Sequence, residues 1–234
     1  MKGVILAGGA GSRLRPATEV YPKCMALVYD KPMIHYPLMT LAGMGCDSAV
    51  IVGSPDGIGA IAKAYKDGEE VGMDLEYKVQ NKPGGVAQAL GRVANSVSGV
   101  FPLALSDCYY SNVPRPMHKD TPTLFWHEFD HAYEHSVWSP EADAIIEKPR
   151  YVNLGNRAII SYFYDESVFE FIEQMQPAHN SGELEIVDIH NYYRNRGAEM
   201  VEFQGFFADM GTPDGLLRVS NYIQGRQGDR RPYG

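Results

Sequence analysis

The chain has 234 residues, 44 % of them hydrophobic and 21 % charged, with a formal net charge of −8. That length supports one domain with a sizeable core, or one domain with a small annex, and the acidic balance argues against a general nucleic-acid-binding surface. Cys24, Cys46 and Cys108 are odd in number and lack metal-ligand spacing, so free thiols in a reducing compartment are expected. The chain starts directly with an apolar strand pattern, leaving no room for a signal peptide, and no apolar run reaches the roughly 18–20 residues that span a membrane. The expectation is a soluble, cytoplasmic protein without a membrane partner; homo-oligomerisation stays open.

Val4-Ile5-Leu6 reads as a buried strand that breaks into the glycine-rich run Gly8-Gly9-Ala10-Gly11. Residues 32–43 read as a helix opened by Pro32, a residue suited to a first turn. A strand follows at 49–53, an alanine-rich helix at 57–66, a strand edge at 77–80 and a helix from Val86 to about Asn95 behind Gly84-Gly85. Val100–Leu105 reads as a central strand ending on Ser106-Asp107. The second half is less regular: a proline-rich loop at 111–122, strands at 123–129, 144–146 and 159–164, and an amphipathic helix at 166–175. A further helix is expected at 183–196, short strands at 201–203 and 206–208, and a last helix at 212–224. Residues 225–234 carry three arginines and no core former, the composition of a mobile tail. The alternation predicts an α/β fold with a largely parallel sheet, organised as one domain over 1–224 without internal repeats.

The loop after the first strand has the chemistry of a polyphosphate cradle. Glycines let backbone N–H groups approach phosphate oxygens. Ser12 adds a hydroxyl, Arg13 a planar guanidinium, and Lys23 a second cation. An acidic protein can still hold an anionic nucleotide where cations and a divalent metal are placed locally. A Rossmann fingerprint would need glycine at position 14, where Leu14 stands, and a P-loop would need a Gly-Lys-Ser/Thr ending that is absent. Asp107 and Asp209 each follow a short apolar run, so each is expected at a strand end. Two carboxylates there suit Mg²⁺, a hard ion that accompanies phosphates. Gln80 offers a donor and an acceptor to a nucleobase, and a glycine nearby lets backbone complete the contact.

Gly-Gly-x-Gly-Ser-Arg-Leu-x-Pro, then Pro22-Lys23 and Asp30-Lys31-Pro32, resembles the sugar-nucleotide pyrophosphorylases, and more closely the glucose-1-phosphate thymidylyltransferases. The resemblance spans residues 1 to about 223. It implies a Rossmann-like, three-layer nucleotidyltransferase fold with a mixed, mostly parallel sheet and a small antiparallel annex. The implied reaction joins a pyrimidine nucleoside triphosphate, dTTP or UTP, to a sugar 1-phosphate with release of pyrophosphate. Nucleotide contacts are implied for Leu6, Gly8, Gly9, Gly11, Ser12, Arg13, Gln80, Gly85 and Asp107. Mg²⁺ falls to Asp107 and Asp209, and catalytic cations to Arg13, Lys23 and Lys148. Glu147-Lys148-Pro149 matches the family's acceptor motif, with Glu147 on sugar hydroxyls and Lys148 on the 1-phosphate. The run from Ser181 to Ile189 also resembles the family and is assigned a structural role, its glutamates placed in a helix's first turn.

The sequence also departs from the pattern. Ile160 stands where relatives carry a glycine against the sugar, and Cys24 where a glutamine commonly follows the lysine. These changes point to a deoxygenated sugar or a non-sugar phosphomonoester as acceptor, with Arg157 on a second anionic group. The extra C-terminal helices of longer thymidylyltransferases, which help form a regulatory site, find no counterpart here. A phosphorylated alcohol or amine as acceptor, and a catalytically weak nucleotide-binding regulator, stay open beside the main reading. His127-Glu128-Phe129-Asp130-His131 satisfies the H-E-x-x-H zinc pattern, with His135 beyond it, but that motif requires a helix and Thr123–Trp126 favours a strand. Incidental histidines in a strand and loop are the expected reading.

Overall fold

The computed structural model describes residues 1–82, 84–129, 132, 135–149, 156–178 and 182–227. The first half alternates strand and helix: β1 (Lys2–Ala7), the hairpin β2 (Leu27–Val28) and β3 (Lys31–Pro32), α1 (His35–Gly43), β4 (Ser48–Gly53), α2 (Pro55–Tyr65), β5 (Asp74–Val79), α3 (Val86–Gly91) and β6 (Phe101–Leu105). The second half runs through β7 (Cys108–Tyr110), β8 (Thr123–Glu128), β9 (Ser136–Ser139), β10 (Ala144–Glu147), β11 (Arg157–Tyr164), α4 (Ser167–Gln174), α5 (Ile186–Asn195), β12 (Glu199–Glu202), β13 (Phe207–Asp209) and α6 (Pro213–Gln227).

β1 is apolar on both sides because both sides are covered. Val4 and Leu6 enter one core cluster, Ile5 and Ala7 another. Helices α3, α4 and α5 supply Leu90, Ile172 and Ile189 to the first, while α1 and α2 supply Leu41 and Ile61 to the second. The result is three layers, helices on both faces of a sheet. β1 pairs in parallel with β4 and β6, and β4 with β5. The second half extends the same nine-stranded sheet rather than leaving it: β11 pairs antiparallel with β6, β8 and β9, and β10 lies beyond β9. Two small antiparallel sheets, β2–β3 and β7–β13, complete the fold.

Several boundaries differ from the expectation. Pro32 does not open a helix but pairs with Leu27 in the hairpin, on a two-stranded sheet where its missing N–H costs little. The helix begins at His35. α3 ends at Gly91, short of Asn95. α5 starts at Ile186, so Glu183 and Glu185 precede it and only Asp188 lies in its first turn. α6 continues through Gln227, so Gly225 and Arg226 belong to a helix rather than a tail; residues 228–234 lie outside the described ones, as does Ser181. No described helix is long and apolar enough to cross a membrane.

Candidate active site

The carboxyl ends of β1, β4, β5 and β6 open on a cavity of about 590 Å³. Leu6, Gly8, Gly9, Lys23, Gln80, Gly85 and Asp107, all expected from the sequence, line it. Ser54, Asn81, Ser106 and Glu183 line it as well. Their sequence context gave no site signal for Ser54, which caps α2 by accepting from Gly57 N at 3.2 Å, or for Asn81. Glu183, read as structural, reaches the cavity because the loop before α5 lies against Gly84: Leu184 N donates to Gly84 O at 3.1 Å and Ala87 N to Leu184 O at 3.2 Å. Gly85 has φ 94°, and a Cβ there would collide with Leu184 O. Only glycine lets these two loops close.

Two ion pairs sit at the edge of this cavity. Lys23 Nζ is paired with Asp107 Oδ2 in a short contact, and Arg13 reaches Asp209 Oδ2 at 3.1 Å. The pairs adjoin because β7 and β13 are zipped together, Cys108 opposite Asp209, and because Met210 N donates to Asp107 O at 2.7 Å. Gly211 N donates to Asp209 Oδ1 at 2.6 Å. The same glycine faces both cations: a Cβ on it would stand 2.6 Å from Lys23 Nζ and 3.1 Å from Arg13 Nη2. Four residues read separately from the sequence thus meet at one point. Gly11, Ser12 and Arg13 do not line the cavity; Ser12–Leu14 form a single 3-10 turn at its rim, with Ser12 and Arg13 exposed.

The acceptor motif is placed less directly. Glu147 ends β10, accepts a short hydrogen bond from Ser136 Oγ, and meets its neighbour Lys148 Nζ at 3.3 Å. Lys148 has φ 38°, a left-handed conformation unusual for lysine, and its N–H donates to His135 O at 3.1 Å. Tyr162 of β11 connects the two regions. Burial, reinforced by Cys108, Glu147 and Asp107, pushes its phenol well above the ordinary tyrosine value. The sequence marked this residue only as part of a strand.

The structure corrects the expectation for Ile160 and gives Arg157 and Cys24 defined surroundings. Ile160 does not narrow a sugar site. β11 carries a bulge between Ile159 and Ser161, which turns the Ile160 side chain into the core with Phe125, Val137 and Phe163, while its carbonyl accepts from Tyr110 Oη. Arg157, expected from the sequence to bind a second anionic group, packs on side chains of β8 and β9. Its guanidinium lies over Trp126 at 4.9 Å and Trp138 at 5.3 Å, with Glu128 at 3.7 Å. Cys24 is packed into the core, where burial pushes its thiol up to about 11, in keeping with the expectation that it offers no polar partner at this position. The strand expectation at the zinc pattern holds, since His127 and Glu128 lie on β8. His135 stacks on Phe129, and no cluster of metal-ligating side chains occurs among the described residues. Asp130 and His131 lie outside them.

A pocket at the carboxyl ends of a parallel sheet, bordered by carboxylates paired with cations, is the arrangement of an α/β protein suited to a phosphorylated ligand. The Nucleotidyl transferase family model matches residues 2–115 and 129–226. The chain is 31 % identical over 238 residues to the glucose-1-phosphate thymidylyltransferase of Mycolicibacterium smegmatis, covering 96 % of this chain and 82 % of the relative. It is 32 % identical over 246 residues to that of Neisseria gonorrhoeae, covering 96 % and 83 %. Among solved structures, a Bacillus anthracis protein assigned as a glucose-1-phosphate thymidylyltransferase and solved with sucrose superposes with a TM-score of 0.87 at 32 % identity, covering 95 % of this chain and 94 % of the other. A UDP-glucose pyrophosphorylase bound to UDP-glucose shares the fold, with a TM-score of 0.79 at 21 % identity over 96 % of this chain and 98 % of the other. The chain belongs to the nucleotidyl transferase family and is a nucleotidyltransferase.

Proposed function

We propose that the enzyme transfers a thymidylyl or uridylyl group from dTTP or UTP to a sugar 1-phosphate and releases pyrophosphate. The observation that carries this reading is the convergence of Lys23–Asp107 and Arg13–Asp209 on Gly211, beside a cavity that holds Gln80 and Gly85. A phosphate oxygen of the acceptor attacks the α-phosphorus in line. The bond from that phosphorus to the bridging oxygen breaks, and pyrophosphate leaves with the electron pair. No covalent protein intermediate is needed, so catalysis is positioning and charge stabilisation.

Lys23 and Arg13 offset the charge of the triphosphate. Glu147 orients acceptor hydroxyls, and Lys148 exchanges its contact with Glu147 for the acceptor phosphate. Gln80 and the Gly85 backbone hold the base edge. The carboxylates of Asp107 and Asp209 are hard oxygen donors on residues brought together by the β7–β13 pairing and by Met210 N donating to the Asp107 backbone carbonyl, a donor set that fits Mg²⁺. Bound there, Mg²⁺ would supply positive charge to the reacting phosphates. With Ile160 turned inward and Arg157 engaged by two indoles, neither of these two side chains argues for an acceptor other than a sugar phosphate.

The test is pyrophosphate release from dTTP, UTP, dCTP, ATP and GTP, each with Mg²⁺ and with glucose 1-phosphate, deoxysugar phosphates and small phosphorylated alcohols and amines. Turnover is expected with a thymine or uracil nucleotide and a sugar phosphate. A preference for purine triphosphates, or for an alcohol or amine phosphate, overturns the reading.

A further inference from the structure

Resting on that reading of the base pocket, we propose that Gln88, which does not itself line the cavity, is a positioning residue. It fixes the Gln80 amide so that the carbonyl oxygen, not the NH₂ group, is the atom offered to the base. Gln80 ends β5's line into the cavity, with its backbone N–H donating to Gly53 O at 2.7 Å and only 7 % of its surface exposed. Its side-chain amide has two ends of opposite hydrogen-bonding character, and a free amide would present either. Here Gln80 Nε2 donates to Gln88 Oε1 at 2.9 Å. That bond commits the NH₂ end to α3 and turns Oε1 toward the glycine loop, where a Cβ on Gly8 would stand 2.7 Å from it.

The backbone makes room for both amides. Gly8 leaves space for the oxygen of Gln80. Gly84 does the same for Gln88, whose amide fills the volume that a Cβ at Gly84 would occupy. Gln88 is on α3 between Ala87 and Ala89, both buried, so its stem is held by a packed helix rather than a loop. The two glutamines are therefore clamped as a pair.

The chemical consequence is selectivity within the pyrimidines. Thymine and uracil carry a proton on N3 and can donate to the Gln80 oxygen. Cytosine has an unprotonated N3, so two lone pairs would face each other. A site whose polar atom is left facing a like partner discriminates strongly.

The experiment compares kcat/KM for dTTP and dCTP, with one acceptor held saturating, in the wild-type enzyme and in Gln88→Met and Gln88→Glu. Methionine keeps the length of the side chain and removes the acceptor, freeing the Gln80 amide to turn. The dTTP-to-dCTP ratio is expected to fall about tenfold or more. Glutamate can only accept, so it keeps Gln80 as the donor and the ratio is expected to stay within about threefold of wild type. An unchanged ratio in Gln88→Met overturns the proposal. So does an equal fall in both variants, which marks a merely structural role. A wild-type enzyme that uses dTTP and dCTP equally well overturns the base assignment itself, and Gln88's role with it.

Discussion

The nucleotide half and the acceptor half of the molecule are built from different kinds of information. Around the cavity, Gly8, Gly9, Lys23, Gln80, Gly85 and Asp107 each sit just beyond a strand of the parallel sheet or in the loop that follows it. A motif read along the chain therefore lands in the right place once the strand is found. In the acceptor half, Glu147, Lys148, Arg157 and Ile160 depend on how β8, β9, β10 and β11 pair across the sheet. There one extra residue reverses a side chain's face. Local motifs place the residues proposed for the phosphates; non-local register places those proposed for the acceptor.

The largest test breaks the first half. Asp107→Asn and Asp209→Asn each remove an ionic oxygen from the point where both cations meet, and turnover is expected to fall by about two orders of magnitude or more. Steady-state pyrophosphate release checks this, with circular dichroism confirming the fold; near-normal rates in both variants refute the assignment. A smaller perturbation sharpens it. Gly8→Ala places a methyl 2.7 Å from Gln80 Oε1. It should raise the KM for the nucleotide about tenfold while leaving the KM for the acceptor unchanged, the cost of displacing one polar contact. A matching rise for the acceptor would show that the halves are not separable.

His190 tests the packing that joins them. It is fully buried on α5, stacked on Tyr162 at 4.8 Å, and burial lowers its pKa from 6.5 to about 3. Its folded-state value lies below its unfolded one, so the unfolded chain binds the extra proton in between. The associated stability is full above about pH 6.5 and declines toward pH 3, by up to about 1.4 kcal/mol per pH unit. Urea midpoints between pH 7 and pH 5 should fall more steeply for the wild type than for His190→Phe. Parallel profiles would remove the linkage.

The smallest effects belong to Ile160 and Arg157 in the acceptor half. Ile160→Val should cost about 1 kcal/mol of stability without shifting acceptor preference, because the deleted methyl lies in the core. Arg157→Ala should cost a similar ~1 kcal/mol or less from the lost contacts with the indoles. A changed acceptor order in either variant would return that residue to the site.

These differences explain what the sequence made legible. Asp107 is legible because an apolar run ends beside it, and Lys23 because Tyr21-Pro22-Lys23 brings a second cation after the phosphate loop. Pro32 was misread because a proline fits a helix's first turn and a hairpin edge equally well, and only the pairing with Leu27 decides. Ile160 was misplaced because position in a motif carries no record of a bulge. Glu183 and Gln88 were missed for a third reason. Each depends on a loop or helix packed against another: Glu183 lies in a run that resembles the family and Gln88 in the helix behind Gly84-Gly85, but what either side chain meets is set by that packing.

The β7–β13 ladder has a consequence for synthesis and assembly. Asp107 belongs to the middle of the chain and Asp209 to its last strand, and they become neighbours only when Cys108 and Asp209 pair. A ribosome-bound chain lacking β13 and α6 has one carboxylate of the two, and it also lacks Ala208, Met210, Val219 and Ile223, which share a core cluster with Leu14 and Val28. The two carboxylates therefore come together only after the last described strand has been made. Cleavage between α5 and β13 that released the C-terminal segment would remove Asp209 and part of the core that holds Leu14 in a single event.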